Sequence, residues 1–385
     1  MAVPSDSTAA EEWDLSTKGV RVLRYVDLAP GEAMANMIKT FELFLPEFTM
    51  GVPQKVAEMN IDFMSKYTHF EITPRDPSLN DPPPAREVHS GDSFYVMRLD
   101  GLNPLLGWAM GSTTGHVTTA LWIDDELYVC ESTIDDSYWP TDHVQKTPYE
   151  TWLKQARDAD FQVVWVPLND AAKDMYNETA AIQWFNSQEG FDYGFKTLIW
   201  GWLDTAKDNF PCLPPNFDVC LQWELLEPLL AIVDRNVPEI GDMIWNPGYN
   251  KRLGTEGLRT AEMYQEAARQ GMKSVDVISI PEQDTWTYNT TRYDEPAEGR
   301  CMVCCVFVCS MWKAAGVFGD LADSINCAEQ TNWDDYALTI HADTYRQIVG
   351  TYSLELNSFK TKDLYAHMAE SCPSLAPEYD KPSDC

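Results

Sequence analysis

The sequence HVTTALWIDDELYVCE runs from His116 to Glu131 and determines the local fold. It has two runs of β-branched and aromatic residues on either side of the pair Asp124-Asp125. Two such runs joined by two turn-forming residues predict an antiparallel hairpin in which Ile123 pairs with Glu126. In that register His116 and Glu131 are diagonal neighbours on one sheet face, whereas Cys130 points to the other. The carboxylate could then orient the imidazole and stabilise its cation, although both residues could instead belong to a solvated sheet face.

Further elements are predicted on both sides of this hairpin. Apolar residues at three-to-four spacing predict helices, and β-branched runs predict strands. Thr147 is expected to cap one helix, with Pro148 in its first turn and Glu150 completing a capping box. Asn169 is expected to cap another helix that runs to Gly190. The remaining predicted strands are Ser93–Arg98 and Phe161–Val166, and the remaining helices are Ala33–Leu45, Gln54–Tyr67, Leu221–Val233, Thr260–Gln270, Val303–Ala315 and Thr361–Glu370. This order of elements predicts an α+β fold.

Four cysteines are crowded into nine residues at the start of the predicted helix Val303–Ala315, namely Cys301, Cys304, Cys305 and Cys309. Free amides and the positive end of the helix dipole lower the pKa of a thiol in the first turn and can bind an oxyanion. With His116 as base, such a thiol becomes an acyl-transfer nucleophile. Two alternatives remain: the thiols could be ordinary core residues, or Cys301-x-x-Cys304 could be half of a zinc site.

Composition excludes several classes of function. The chain has 385 residues, with 28 Lys+Arg and 60 Asp+Glu giving a formal net charge of −32 at pH 7. A polyanion of this size is repelled by nucleic acids and by anionic lipid surfaces. The longest apolar run, Val303–Val308, is too short for a transmembrane segment. No signal peptide is visible, so a cytoplasmic protein is expected by default, or a secreted or endolysosomal one if the chain is a processed form. Cys212/Cys220 and Cys372/Cys385 could each close a short loop by a disulfide.

Taken in order, these motifs resemble the circularly permuted papain-like amidases, the YiiX-type branch of the NlpC-like cysteine hydrolases; lecithin:retinol acyltransferase is a more distant relative. In that family the histidine strand precedes the nucleophile helix, as it does here. The matching stretches are Ser90–Phe94, Gly115-His116-Val117, Tyr128–Glu131, Gly190–Gly194, and Cys304 with Phe307, Val308 and Gly316. They span roughly residues 88–200 and 295–340. Two positions depart from the family pattern, because Cys305 replaces the serine after the nucleophile and Thr118 replaces a small residue.

The resemblance implies a permuted papain-like fold in which an antiparallel sheet packs against the nucleophile helix. The resemblance ranks the candidate nucleophiles as Cys304, then Cys305, then Cys309. With Cys304 as the nucleophile, His116 would be the base, Glu131 the orienting residue and Tyr193 part of the substrate cleft, with no cofactor and no metal. The expected substrate is a peptide or an acylated small molecule. A lipid-directed acyl hydrolase or transferase is the runner-up, and an inactive binding protein is the alternative from another class. The catalytic domain would span 88–345 with a helical insertion at about 201–285, between an N-terminal helical extension with a Pro-rich linker (1–87) and a C-terminal helix and tail (346–385).

Overall fold

A six-stranded antiparallel sheet forms the centre of the protein. The computed structural model describes residues 49–68, 70–134, 143–200, 212–213, 219–220, 223–278, 280–357 and 359. The sheet strands are β1 Ser93–Met97, β2 His116–Ile123, β3 Glu126–Ser132, β4 Val144–Pro148, β5 Gln162–Val166 and β10 Arg346–Val349, in the spatial order β10-β5-β1-β2-β3-β4. Short antiparallel pairs are formed by β6 Cys212–Leu213 with β7 Val219–Cys220, and by β8 Tyr288–Arg292 with β9 Glu295–Gly299. Helices accompany the sheet, so the protein is α+β, as the sequence predicts.

The β2-β3 hairpin has the predicted register. Ile123 pairs with Glu126, and Thr119 pairs with Cys130. The two turn residues, Asp124 and Asp125, have φ angles of 50° and 65°. Positive φ at both central positions is the turn geometry that matches the twist of the flanking strands, and aspartate tolerates it better than most residues do. The turn therefore fixes which side chains share a face.

Both faces of the sheet are buried, which explains why every residue of β1 is inaccessible to solvent. Tyr95, Val117 and the other residues of their face pack against the helices Glu178–Gln188 and Cys304–Ala314, and Cys130 lies in this core as predicted. Phe94, Val129 and the other residues of the opposite face pack against the helix Tyr149–Asp158. A three-layer arrangement of this kind makes β1 a continuous apolar run instead of an alternating one.

The described helices are α1 Gln54–Thr68, α2 Leu102–Met110, α3 Tyr149–Asp158, α4 Asp170–Met175, α5 Glu178–Gln188, α6 Trp223–Asn236, α7 Pro238–Ile244, α8 Asn246–Leu253, α9 Thr260–Arg269, α10 Ser274–Ile278, α11 Cys304–Ala314 and α12 Asn332–Ala337. Helices α6–α10 surround a separate apolar cluster that includes Trp245, Tyr249 and Met263. Helix α9 is followed by Gly271 and α11 by Gly316, both at positive φ, as the sequence predicts. No described helix has the length and apolar character needed to cross a bilayer.

One predicted helix start and one predicted helix end are wrong, whereas the cap at Asn169 is confirmed. Thr147 does not cap a helix, because it lies in β4 opposite Val129; α3 begins after Pro148 without a side-chain cap. The helix capped by Asn169 ends at Met175 instead of continuing to Gly190, and Asn177 caps a second helix, α5. Strand pairing in the first case and a competing cap in the second overrode the local signals. The predicted helices Ala33–Leu45 and Thr361–Glu370, and the pair Cys372/Cys385, lie outside the described residues.

Candidate active site at the start of helix α11

Cys304 is the first residue of α11. The residue before it, Val303, is extended and provides no side-chain cap, and the first intrahelical bond runs from the Phe307 amide to the Val303 carbonyl. The amides of the first turn therefore have no intrahelical partner, and their dipoles point towards the Cys304 thiol. The preceding segment is fixed, because the Ser132 hydroxyl donates to the Met302 carbonyl at 2.7 Å. The sequence thus places one thiol at a rigid helix N-terminus.

Tyr193 and Gly194 secure this segment from the other side. The Gly194 amide donates to the Met302 carbonyl at 3.1 Å, and Tyr193 forms a parallel bridge with Met302. A Cβ atom at Gly194 would lie 2.5 Å from the Met302 carbonyl carbon and 2.6 Å from the Val303 nitrogen. Because both are backbone atoms, only glycine allows this close approach. The Gly190–Gly194 stretch is thereby held against the nucleophile segment.

His116 and Glu131 meet as the hairpin register predicts. The distance between His116 Nε2 and Glu131 Oε2 is 2.9 Å, and the His116 side chain is 16% exposed while that of Glu131 is 1% exposed. Since Nε2 is engaged by the carboxylate, Nδ1 is the ring nitrogen left for Cys304. Glu131 points towards α3, whereas α11 packs on the opposite face of the sheet. His116, the first residue of β2, therefore connects the two faces at the end of the sheet.

The contact between Cys304 and His116 moves the pKa values of both groups. A hydrogen bond from the Cys305 thiol lowers the pKa of Cys304 well below its usual value; burial opposes this shift, and the hydrogen bond and charge of His116 add to it. Burial lowers the pKa of His116, but its hydrogen bonds with Cys304 and Glu131 outweigh burial and raise it to about 10. Both shifts favour the thiolate–imidazolium form of the pair.

Two more side chains contact the nucleophile. Tyr193 interacts through its hydroxyl with the backbone amide and the thiol of Cys304, and burial raises the pKa of this tyrosine far above its ordinary value. Asn332 Oδ1 lies 3.7 Å from Cys304 Sγ, and Asn332 is fully buried. Sequence reasoning missed Asn332, because it lies 28 residues after Cys304. The readable local signal was the capping box of α12, in which Thr331 and Asp334 bond to each other's backbone amides.

The other cysteines are unsuited to attack. Cys305 is 1% exposed, and burial together with Cys304 raises its pKa well above the ordinary value. Cys309 forms a disulfide with Cys327, with their Cα atoms 5.5 Å apart, so it has no free thiol. Burial also raises the pKa of Cys301. Within the described residues no cluster of His, Cys, Asp or Glu could hold a metal ion, which leaves Cys301-x-x-Cys304 without further ligands there.

Asp92 has a structural role. It is fully buried, and its carboxylate accepts bonds from the amides of His89 and Leu168 and from the Trp165 indole. These bonds tie the start of β1 to the end of β5. Asp92 therefore supports the sheet and not the thiol site.

The chain was compared with protein-family models, curated proteins and solved structures, and none of them matches it. A thiol with a lowered pKa at a helix N-terminus, an imidazole in contact with it and a buried carboxylate behind the ring form a set of groups that can attack a carbonyl carbon and protonate a leaving group.

Proposed function

We propose that this protein is a cysteine hydrolase that cleaves an amide bond, in a peptide, an isopeptide or another amide, through a thioester on Cys304. The observation that carries the proposal is the continuous chain of contacts from Glu131 through His116 to Cys304 at the start of α11. These three residues come from three elements that are distant in sequence. A core cysteine with no chemical role has no need of a buried imidazole–carboxylate pair beside it.

The reaction follows from the positions of these groups. The Cys304 thiolate attacks the carbonyl carbon, and the carbonyl oxygen becomes an oxyanion that the Cys304 amide can bind. As the C–N bond breaks, the His116 imidazolium gives its Nδ1 proton to the leaving nitrogen. His116 then takes a proton from water, the resulting hydroxide attacks the thioester, and the acid and the Cys304 thiolate are released. Glu131 holds the ring and stabilises its cationic form throughout.

Tyr193 fits a substrate-facing role in this scheme. Its side chain is partly exposed, unlike that of Cys305, and its hydroxyl interacts with the Cys304 amide that would bind the oxyanion. The ring packs edge-on against Phe195 at 5.0 Å between centroids. A substrate carbonyl would take over the contact with the amide and leave the hydroxyl beside the same oxygen. Tyr193 would thus line the acyl side of the cleft.

A permuted papain-like scaffold is part of the same proposal. In its support, the histidine strand precedes the cysteine helix in sequence, and the helix packs against an antiparallel sheet whose strand β2 provides His116. The Gly190–Gly194 stretch borders the nucleophile segment, as expected for the cleft segment of that family.

Alkylation by iodoacetamide tests the nucleophile without knowledge of the substrate. We expect Cys304 to react with a midpoint well below pH 9 and at least tenfold faster at pH 6 than Cys301 or Cys305, with tandem mass spectrometry assigning the label. His116→Ala should raise this midpoint, because the hydrogen bond and the charge of the ring no longer oppose burial, whereas the hydrogen bond from Cys305 remains. If Cys304 titrates like an ordinary thiol and His116→Ala leaves its rate unchanged, the proposal fails.

A panel of a fluorogenic peptide amide, a lysine-linked isopeptide and an acyl ester then identifies the bond that is cleaved. Cys304→Ala should abolish turnover of the preferred substrate. Cys301→Ala is a matched control, because it removes a buried thiol three residues away that lies before the helix. Turnover of the ester alone would support a lipid-directed acyl hydrolase and contradict amide cleavage.

A further inference from the structure

The buried carboxylate of Glu131 is bound on both of its oxygens. Oε2 contacts His116, while Oε1 accepts a hydrogen bond from the indole nitrogen of Trp152 at 3.2 Å. Gln145, which pairs with Glu131 across β3 and β4, has its amide nitrogen 3.5 Å from Oε1. The indole is therefore the closest donor to the oxygen that does not face His116.

Trp152 has a hydrogen-bond partner as well as packing contacts. It is fully buried in α3, and its ring lies 5.5 Å from that of Phe94. A buried indole N–H has to find an acceptor, and a tryptophan nitrogen only donates. The acceptor here is the carboxylate of the site, and a donor bond to a carboxylate is stronger than one to a neutral group. An apolar residue of similar size would pack as well but leave Oε1 with Gln145 alone.

We propose that Trp152 is a positioning residue for the Glu131–His116 pair: its indole N–H fixes Oε1 so that Oε2 faces the His116 ring. This inference rests on the proposed function, since it assigns a task in the same site. Without the indole, the carboxylate is free to rotate about its Cγ–Cδ bond, and the bond to His116 is weakened. Trp152 lies on the opposite side of the sheet from Cys304, so the site is built from both layers of helices.

The test measures His116 directly. In protein labelled with ¹³C-histidine, the resonance that His116→Ala removes is followed from pH 5 to pH 11. The titratable groups that face this ring are Glu131 on β3 and Cys304 on α11; Tyr193, Cys305 and Asp335 act in turn on Cys304. In Trp152→Phe the Glu131 carboxylate loses its bond to the indole, and its bond to the His116 ring is weakened. We therefore expect the His116 midpoint to fall by about one pH unit. Turnover of the preferred substrate should fall by about 10- to 100-fold with KM little changed.

Trp312→Phe is the matched control. Trp312 is also fully buried, and its indole donates to the Gly91 carbonyl at 2.9 Å instead of to the site. The Trp312→Phe variant should lose about as much stability as Trp152→Phe but keep the His116 midpoint. Should Trp152→Phe not fold, incorporation of benzothienylalanine at position 152 keeps the ring shape, removes only the N–H donor, and should give the same fall.

The outcomes separate the two proposals. If His116 of the unaltered chain titrates near 6.5 and Cys304 near 9, the proposed function fails and the role of Trp152 fails with it. If the unaltered chain shows the raised His116 midpoint but Trp152→Phe and the benzothienylalanine variant both keep it, only the role of Trp152 is refuted. A fall in both variants at position 152, together with an unchanged midpoint in Trp312→Phe, supports it.

Discussion

Glu131→Gln is the substitution that most directly tests the electrostatics of the site. The side chain is nearly isosteric, 1% exposed and 2.9 Å from His116. A hydrogen bond to a charged group contributes about 1.5–3 kcal/mol, and one pKa unit corresponds to about 1.4 kcal/mol. Removing the charge should therefore lower the pKa of His116 from about 10 to between about 8 and 9.

The sign of the pH effect follows from which form of the ring works. In the proposed mechanism the imidazolium is the proton donor to the leaving group, so activity should be present below the pKa of His116 and lost as pH rises through it. The unaltered protein should lose activity near pH 10, and Glu131→Gln near pH 8 to 9. At the optimum, kcat should fall by about 10²- to 10⁴-fold. The glutamine also has one NH₂ group in place of an oxygen, and this donor must face another N–H donor, either that of the Trp152 indole or that of the His116 ring. A lower melting temperature is therefore expected.

The assay records turnover of the preferred substrate and alkylation of Cys304 between pH 4 and pH 11. Glu126→Gln is the control: it removes the same charge from the same strand, but at the exposed turn end, where Glu126 bonds Tyr128. It should leave both profiles unchanged. An alkaline limb that stays near pH 10 in Glu131→Gln would refute the role assigned to the carboxylate, whatever happens to the rate.

Three further predictions concern stability and geometry. Burial raises the pKa of Asp335 far above its ordinary value, with Asp334 and Cys304 adding to the shift, so the folded protein retains a proton that the unfolded chain releases above about pH 4. Asp335→Asn should therefore stabilise the protein increasingly as pH rises above about 4, and a pH-independent difference in melting temperature would contradict this. Asp125→Gly relieves a positive φ of 65° and should raise the free energy of unfolding by about 0.5–1 kcal/mol in urea titrations, with alkylation of Cys304 unchanged. Gly194→Ala should slow that alkylation at least tenfold, because its Cβ meets the backbone 2.5 Å away, whereas Gly271→Ala, with open space around it, should cost only stability.

The sequence predicts the hairpin well because its information is local. A two-residue turn, two β-branched runs and the period of two determine the register, and the register alone brings His116 to Glu131. Helix α11 is equally local, since an apolar segment ending at Gly316 leaves little freedom for its boundaries. The same residues carry the resemblance to permuted papain-like amidases, so that hypothesis depends on the best predicted part of the chain.

Non-local contacts explain what the sequence did not predict. Strands β4 and β10 are short, and each exists because a neighbouring strand pairs with it, so Thr147 reads locally as a helix cap. Trp152 and Asn332 reach the site from α3 and α12, and no spacing in the sequence relates them to His116 or Cys304. Residues that support a site from behind are selected by a three-dimensional fit, which periodicity does not encode.

The position at which α11 begins determines which of the clustered cysteines faces the end of β2. Successive residues of a helix are rotated by about 100°, so only one of two adjacent thiols can face the end of β2. Cys304 is that residue, and Cys305 turns into the core beside Tyr95 and Asp335, where its pKa rises while that of Cys304 falls. The buried thiol of Cys305 is placed to donate to Cys304, so a hydrogen-bond donor stands where the family pattern has a serine. The departure from that pattern therefore keeps a donor beside the proposed nucleophile.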